Sequence, residues 1–395
     1  MVRVLTLMDV FSFNPMGGAG RVMFETARHM VRRGHEVTVV CRRRDDLTED
    51  QVVDGVRFRT FASAGGGRLA LLRAAQQGPV RTVASLLAEG RGFDAVHAHH
   101  PHPLLRVRGM RALRNVPIWY TFHSPWPEEV ALLRGLPRWS PGVVMRAWME
   151  AKAVSVSRRV HALSHSMFRE ARRRYGKFHG IVINGGVDLE RFRPPADREA
   201  ARAALGWRPG ERWLLTVRRL VPRMGVRILV DAMARLAPRF GTLRLAVGGT
   251  GPLRGALERH AARCGVQDRI RFLGYVDEAA LPALYGAADL FVVPSRALEG
   301  FGMATVEALA CGTPAVGTPV GGTREVLIPL DSRCIATAAD SHGLMRALEW
   351  WLSRTQALAA MRPLARAHAE ARYGWDRIAA QMETAMTGML ARSPS

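Results

Sequence analysis

Short apolar segments alternate with amphipathic helical patterns along the whole chain, in two series that part at Pro194-Pro195, and this recurrence constrains the fold more than any other feature. The first series starts with residues 2–8, where apolar and polar side chains alternate as in a strand. A loop from Phe13 to Gly20 then leads into a helical pattern over Arg21 to Arg33, closed by Gly34. Strand patterns follow at Glu36 to Cys41, Ala95 to Ala98, Ile118 to Phe122, Val160 to Leu163 and Ile181 to Ile183. The second series places them at Trp213 to Val217, Leu243 to Gly248, Ile270 to Leu273, Leu290 to Val293 and Ala315 to Gly317. Strands that alternate with helices form parallel sheets covered by helices. At 395 residues the chain is too long for one core and suits two such domains. The expected boundaries are 1–193 for a first domain, 194–372 for a second, and 373–395 for a final helix, patterned from Trp375 to Leu390, that crosses back onto the first. Two such sheets leave a cleft at the carboxyl ends of their strands, where ligands bind in this architecture.

Lysine and arginine number 57 against 34 acidic residues, a formal charge of +23, so the expected partner is anionic: nucleic acid, an anionic membrane surface or a phosphorylated ligand. No segment resembles a recognition helix or an aromatic stacking motif, which argues against nucleic acid. Lys152 and Lys177 are the only lysines, so the second half has no residue for a Schiff-base cofactor such as pyridoxal phosphate. Cys41, Cys264, Cys311 and Cys334 are far apart, with no C-x-x-C pair, as suits a reducing compartment. No apolar run reaches the roughly eighteen residues that span a bilayer, and Asp9 interrupts the first apolar stretch before a signal-peptide core develops. A cytoplasmic protein is expected, peripheral on the inner face of the plasma membrane where basic helices meet anionic lipid.

The segment from Glu299 to Pro314 carries the clearest chemistry. It follows the strand pattern Leu290 to Val293 and opens a helix that Gly312-Thr313-Pro314 ends. Gly300, Phe301, Gly302 and Met303 at its mouth let a phosphate approach free backbone N–H groups at the positive end of the helix dipole. Glu307, one turn in, can accept from the vicinal hydroxyls of a ribose, and Glu299 from another polyol such as a donor sugar; a capping or solvated pair of glutamates after a Gly turn is the other reading. Gly17 and Gly18 precede a helix in the same manner.

The spacing Glu299-x7-Glu307, with Gly-Phe-Gly inside it and Glu-Ala-Leu-Ala-Cys-Gly-Thr-Pro after it, resembles the signature of family 4 retaining glycosyltransferases of the GT-B fold. The resemblance runs along nearly the whole chain. Gly17-Gly18-Ala19-Gly20, Arg33-Gly34-His35-Glu36-Val37, His97-Ala98-His99, Thr121-Phe122-His123-Ser124, Asn184-Gly185-Gly186-Val187-Asp188, Gly248-Gly249-Thr250-Gly251-Pro252 and Val320-Gly321-Gly322 stand in the family's order. It implies two doubly wound Rossmann-like domains facing a cleft, and transfer of a sugar from a UDP- or GDP-linked donor to a hydroxyl acceptor, among them lipid-linked, glycan and glycolipid precursors. The nucleotide sugar is a co-substrate, and neither cofactor nor metal is implied. Glu307 matches the ribose ligand, Glu299 the donor-sugar contact, and Gly249 and Gly251 the donor-binding loop. The family's phosphate clamp, Gly-Arg-Leu-x-x-x-Lys-Gly, corresponds to Arg218-Arg219-Leu220-Val221-Pro222-Arg223-Met224-Gly225. Arg219 keeps the arginine, but Met224 stands where the lysine belongs. Either Arg223 replaces it, since a guanidinium forks onto phosphate oxygens, or Arg219 works with backbone amides alone.

His97, His99, His100 and His102 suggest a metal site by composition, but the chain has no Asp-x-Asp motif of metal-dependent glycosyltransferases. The resemblance instead puts His97 and His99 on the acceptor side and His123 at the donor sugar; a structural, hydrogen-bonded histidine is the other reading of His123. Trp126, Pro127 and the helix Val143 to Val156 with Trp148 form an acceptor groove, a membrane-facing surface, or ordinary core and surface. The rival functions are a sugar-nucleotide epimerase of the same fold and a basic nucleic-acid binding protein.

Overall fold

The computed structural model describes residues 1–13, 16–44, 46–61 and 68–391, with side chains throughout except at 68–73. The chain divides into two compact units, one comprising Met1–Ala131, Leu136–Asn184 and Trp375–Ser395, the other Leu132–Gly135 and Gly185–Gly374.

The first unit holds eight strands: β1 (Arg3–Val10), β2 (Glu36–Arg42), β3 (Asp50–Val53), β4 (Val56–Phe61), β5 (Ala95–Ala98), β6 (Ile118–Phe122), β7 (Arg159–Ala162) and β8 (Gly180–Val182), in the order β3-β4-β2-β1-β5-β6-β7-β8. All neighbours are parallel except β3 and β4, which are antiparallel. This hairpin corrects the expectation of a purely parallel sheet. Its turn is Asp54-Gly55, both with positive φ (50° and 79°), the conformation a two-residue hairpin loop requires. The central strands are buried along their length, with Leu5, Leu7, Val40, Val96, Tyr120, Phe122 and Val160 in one cluster, as expected of a sheet covered on both faces. The helix Trp375–Ala391 belongs to this unit: Glu383 binds Arg33 at 2.5 Å and His35 at 2.8 Å, and Asp376 binds His29 at 3.1 Å.

The second unit is built on β9 (Arg212–Val217), β10 (Leu243–Gly248), β11 (Ile270–Gly274), β12 (Leu290–Val293) and β13 (Ala315–Gly317), all parallel, in the order β11-β10-β9-β12-β13. Strand order reverses between β9 and β12 here, and between β1 and β5 in the first unit. At such switch points the connections leave in opposite directions, opening a crevice beyond the carboxyl ends of the strands.

Candidate functional site

Arg218 directly follows β9, and Ser295 and Glu299 follow β12, so the three meet at the switch point of the second unit. Arg218 Nη2 donates to Glu299 Oε2 at 3.1 Å, Arg218 Nη1 donates to Ser295 Oγ at 2.8 Å, and the Ser295 hydroxyl donates to the same Glu299 oxygen. Both charged side chains are nearly buried, 6% and 11% exposed. Burial lowers the Arg218 pKa and the neighbouring Glu299 opposes that shift, as for any ion taken from water beside its counter-ion. Glu299 is thus held as an oriented carboxylate.

Arg223 Nη1 donates to Leu298 O at 3.0 Å, while its own carbonyl accepts from Arg296 N at 2.8 Å. It therefore straps the segment before Glu299, where Leu298 sits at φ 53°, a left-handed conformation that an L side chain keeps only when its surroundings enforce it. Arg219 is exposed, and Met224 has its sulfur 3.9 Å from Arg223 Nη1. Sequence reasoning missed Arg218, because the resemblance puts a glycine there. The charge at that position was the available signal.

Beyond Glu299, Gly302 (φ 96°) begins the helix Met303–Ala310, whose first turn has neither a side-chain cap nor an acidic residue. Its first amides form the positive end of the dipole, with Glu299 Oε1 about 4.0 Å from where a Cβ on Gly302 would stand. Glu307 is buried, and its Oε2 accepts from the Tyr285 hydroxyl at 3.0 Å. Tyr285, on the helix Leu281–Ala287, was not anticipated, since its motif lies twenty residues upstream. Phe301 turns inward: its ring is buried, packs 5.6 Å from the Tyr373 ring, and lies with the Met303 sulfur against Gly185. Only its backbone faces the loop's chemistry.

The glycines separate by what surrounds them. A Cβ on Gly249 (φ 116°) would stand 2.0 Å from Arg218 O, one on Gly251 would stand 2.4 Å from Leu220 O, and one on Gly321 would stand 1.9 Å from Glu299 O. These three are glycines because backbone crosses backbone there, the loop of Gly249 and Gly251 against Arg218 and Leu220, and Gly321 against Glu299. Gly17 and Gly18, by contrast, meet nothing within 4 Å among the described residues. They stand at the uncapped start of the helix Gly18–Arg32, beyond β1 at the switch point of the first unit, with no acidic residue in the first turn.

The histidines of the first unit form a hydrogen-bonded relay across β5, β6 and β7. His161 Nε2 must donate to Ile183 O (2.8 Å), because a carbonyl only accepts. Its Nδ1 then accepts from the Thr121 hydroxyl (3.0 Å), and that hydroxyl oxygen accepts from His97 Nε2 (2.8 Å). Every tautomer in the relay follows from one carbonyl. His97 is spent inside it and fully enclosed, which corrects its expected place at an acceptor surface. His99 Nδ1 lies 2.9 Å from His123 Nε2. Burial lowers the pKa of His97 and His99 well below the usual value, and brings His161 to about 4 and His123 to about 3. The pair His99–His123 is therefore neutral, one ring donating and the other accepting. Trp126 stands edge-on to His100 at 4.4 Å with the Arg146 guanidinium 5.0 Å over its ring.

On the surface of the first unit, Trp139 and Trp148 are 78% and 61% exposed, with Val144 and Met145 also exposed. Between 136 and 158 the only acidic residue is the buried Glu150, whereas Arg138, Arg146, Lys152 and Arg158 are basic. No helix among the described residues is long and apolar enough to cross a membrane.

A cavity of about 300 Å³, lined by Glu211, Trp213, Arg244 and Arg271, lies at the amino ends of β9, β10 and β11, opposite the switch point. Arg271 stacks on Trp213 in its wall, and Glu211 there is paired with Arg244 at 3.2 Å. Asp231, His260 and Cys264 cluster elsewhere in the second unit, but His260 Nε2 already bonds Asp231 Oδ1 at 2.6 Å.

Known proteins align with both halves. Residues 16–191 match the family described as Glycosyltransferase Family 4, and residues 197–368 match Glycosyl transferases group 1. The D-inositol 3-phosphate glycosyltransferase 2 of Catenulispora acidiphila is 34% identical over 302 residues, covering 73% of this chain and 69% of the relative. The phosphatidyl-myo-inositol mannosyltransferase of Mycobacterium tuberculosis is 30% identical over 387 residues, 94% of this chain and 93% of that one. Among solved structures, the sucrose-phosphate synthase of Thermosynechococcus elongatus superposes with a TM-score of 0.83 at 22% identity, covering 100% of both chains. The Anabaena protein HepE in complex with UDP and glucose gives 0.78 at 22% identity, over 98% of this chain and 100% of its own. The chain is therefore a family 4 glycosyltransferase of the GT-B fold, its family 4 domain followed by a group 1 glycosyltransferase domain.

Proposed function

We propose that the protein transfers a glycosyl group, with retention at the anomeric carbon and without a metal, from a UDP- or GDP-linked sugar to a hydroxyl of an inositol-containing or lipid-linked acceptor. The observation that carries this is the held carboxylate of Glu299 beside the uncapped helix at Gly302, with Glu307 one turn further on. A carboxylate for sugar hydroxyls, amides for a diphosphate and a second carboxylate for ribose stand in the order in which a nucleotide sugar presents those groups.

In the step proposed, the bond from the anomeric carbon to the diphosphate oxygen breaks, the acceptor oxygen bonds that carbon on the same face, and the acceptor proton passes to a departing phosphate oxygen. Charge growing on the diphosphate is met by Arg219 and the amides of Gly300 to Met303. Neutral His123, held by His99, is suited to hydrogen bonding with a hydroxyl rather than to acting as a cation. The inositol-type acceptor is supported by the names of the two relatives, which also suggest glycolipid synthesis. Exposed Trp139 and Trp148 among Arg138, Arg146, Lys152 and Arg158 support docking on an anionic leaflet, where tryptophans sit at the headgroup level.

A thermal-shift panel of UDP, GDP, ADP and their sugars tests the donor, because a bound ligand raises the melting temperature by mass action. Glu307→Ala should abolish the shift of the responding nucleotide. An unchanged affinity in that variant, or release of a rearranged nucleotide sugar without any acceptor, overturns the reading.

A further inference from the structure

We propose that Arg218 is the buried cation of the diphosphate clamp, carrying the charge that the chain lacks at Met224; the proposal rests on the donor-site reading above. A guanidinium has five N–H groups on a rigid plane. In Arg218, Nη1 donates to Ser295 Oγ (2.8 Å) and to Met224 O (3.2 Å), and Nη2 donates to Glu299 Oε2 (3.1 Å). These bonds occupy the end of the fork. Nε is buried with no hydrogen-bond partner, and it shares the other edge of the plane with the second Nη2 hydrogen. That edge is the one that grips two oxygens of a phosphate side-on. Native structures rarely leave a buried N–H unbonded, and this one lies at the switch point beside Glu299, where the donor-site reading puts an acceptor.

The other two arginines of the segment are disposed differently. Arg223 is committed to Leu298 O, and Arg219 is exposed. Arg218 alone is enclosed at the switch point between β9 and β12, where low polarity strengthens its field on a departing diphosphate. It also keeps Glu299 from facing that diphosphate as an unpaired negative charge, which would repel it. Met224 lies on the same turn: its carbonyl touches Arg218, and its sulfur lies 3.9 Å from Arg223 Nη1, which bonds the residue before Glu299. A lysine at 224 carries its charge on the turn whose carbonyl Arg218 already bonds.

The test is a rescue. Binding of UDP, GDP and ADP, and of the corresponding monophosphates, is measured by calorimetry for the wild type, Arg218→Met, Arg218→Met with Met224→Lys, and Arg218→Lys, with turnover on the responding donor. Arg218→Met should lose about ten- to a hundredfold in diphosphate affinity and much less in monophosphate affinity. Lysine at 224 should recover most of that loss, and Arg218→Lys, with charge but no fork, should fall between. A wild type that binds no nucleoside diphosphate sinks the donor reading itself. A wild type that does bind, with Arg218→Met equal to it, or equally weakened for both phosphates, or unaided by the lysine, overturns the role of Arg218 alone. If Arg218→Met fails to fold by circular dichroism, Arg218→Lys decides: an unchanged ratio of diphosphate to monophosphate affinity overturns the proposal.

Discussion

The phenol of Tyr285 donates to Oε2 of Glu307 at 3.0 Å, with both side chains buried. A carboxylate fixed in this way does not have to be ordered when it meets the vicinal hydroxyls of a ribose. Tyr285→Phe removes the donor and keeps the ring against Phe291. Nucleotide affinity is expected to fall about two- to tenfold, the net worth of one such bond, with turnover at saturating donor little changed. Calorimetric titration with the responding nucleotide checks it, and equal affinities would remove Tyr285 from the site.

Two glycines of similar sequence context should respond in opposite ways. Gly249→Ala drives a methyl group to 2.0 Å from Arg218 O at a φ of 116°, so the variant should lose several kcal/mol of stability or fail to fold its second unit. Gly18→Ala meets nothing and sits in the first turn of a helix, where alanine is the better helix former. It should melt within a few degrees of the wild type yet lose turnover, because its methyl group narrows an uncapped helix start suited to a phosphate. Melting curves paired with turnover decide between the two mechanisms.

The architecture was legible because buried parallel strands are continuous apolar runs and the helices between them have a period: β5, β6, β10, β12 and β13 start and stop where their patterns do. The hairpin of β3 and β4 was not, since Asp50–Val53 is half exposed and its alternation is short. Within the site, Glu299, Glu307 and the loop between them were singled out by the glycines and by the family resemblance, whereas the partners that orient them were not legible. Arg218 and Tyr285 reach their carboxylates from 81 and 22 residues away. The inward turn of Phe301 was equally hidden, because nothing local distinguishes a phenylalanine on a ligand from one against Tyr373.

The relay through Thr121 makes a further prediction. Thr121→Val keeps the shape of the side chain but leaves His97 Nε2 and His161 Nδ1 buried without their partner. A loss of about 2–4 kcal/mol is expected from two unsatisfied groups. The enclosed histidines also set an acid limit. Burial lowers the pKa of His97, His99, His100, His123 and His161, so these five stay neutral when folded, while the unfolded chain protonates them below about 6.5. The unfolded state then binds more protons, and stability falls as pH drops from about 6.5 towards the folded values. Urea midpoints should decline steeply from pH 7 to pH 5. A flat profile would show that the rings are already charged in the fold.

Glu150 works in the opposite direction within the same unit. It is buried on the helix Pro141–Val156, accepting from Tyr175 Oη (2.5 Å), Tyr120 Oη (3.3 Å) and the backbone N–H of Trp126 (3.2 Å), which begins the helix Trp126–Arg134. Burial pushes its pKa up to about 7, against the pull of these three donors and with Glu128 adding to the rise. Its folded pKa lies above that of the unfolded chain, so between about 4.5 and 7 the folded state holds a proton that the unfolded state has released. Its contribution therefore favours the fold at low pH and is lost as pH rises through that window, up to about 3 kcal/mol. Glu150→Gln has no such proton to lose. The difference in melting temperature between Glu150→Gln and the wild type should shift in favour of the variant from pH 5 to pH 8, and the acid decline caused by the histidines should become steeper in the variant, where no compensating slope remains. A difference independent of pH would mean that Glu150 is ionised throughout, with Tyr120, Tyr175 and the Trp126 amide sufficient to solvate it.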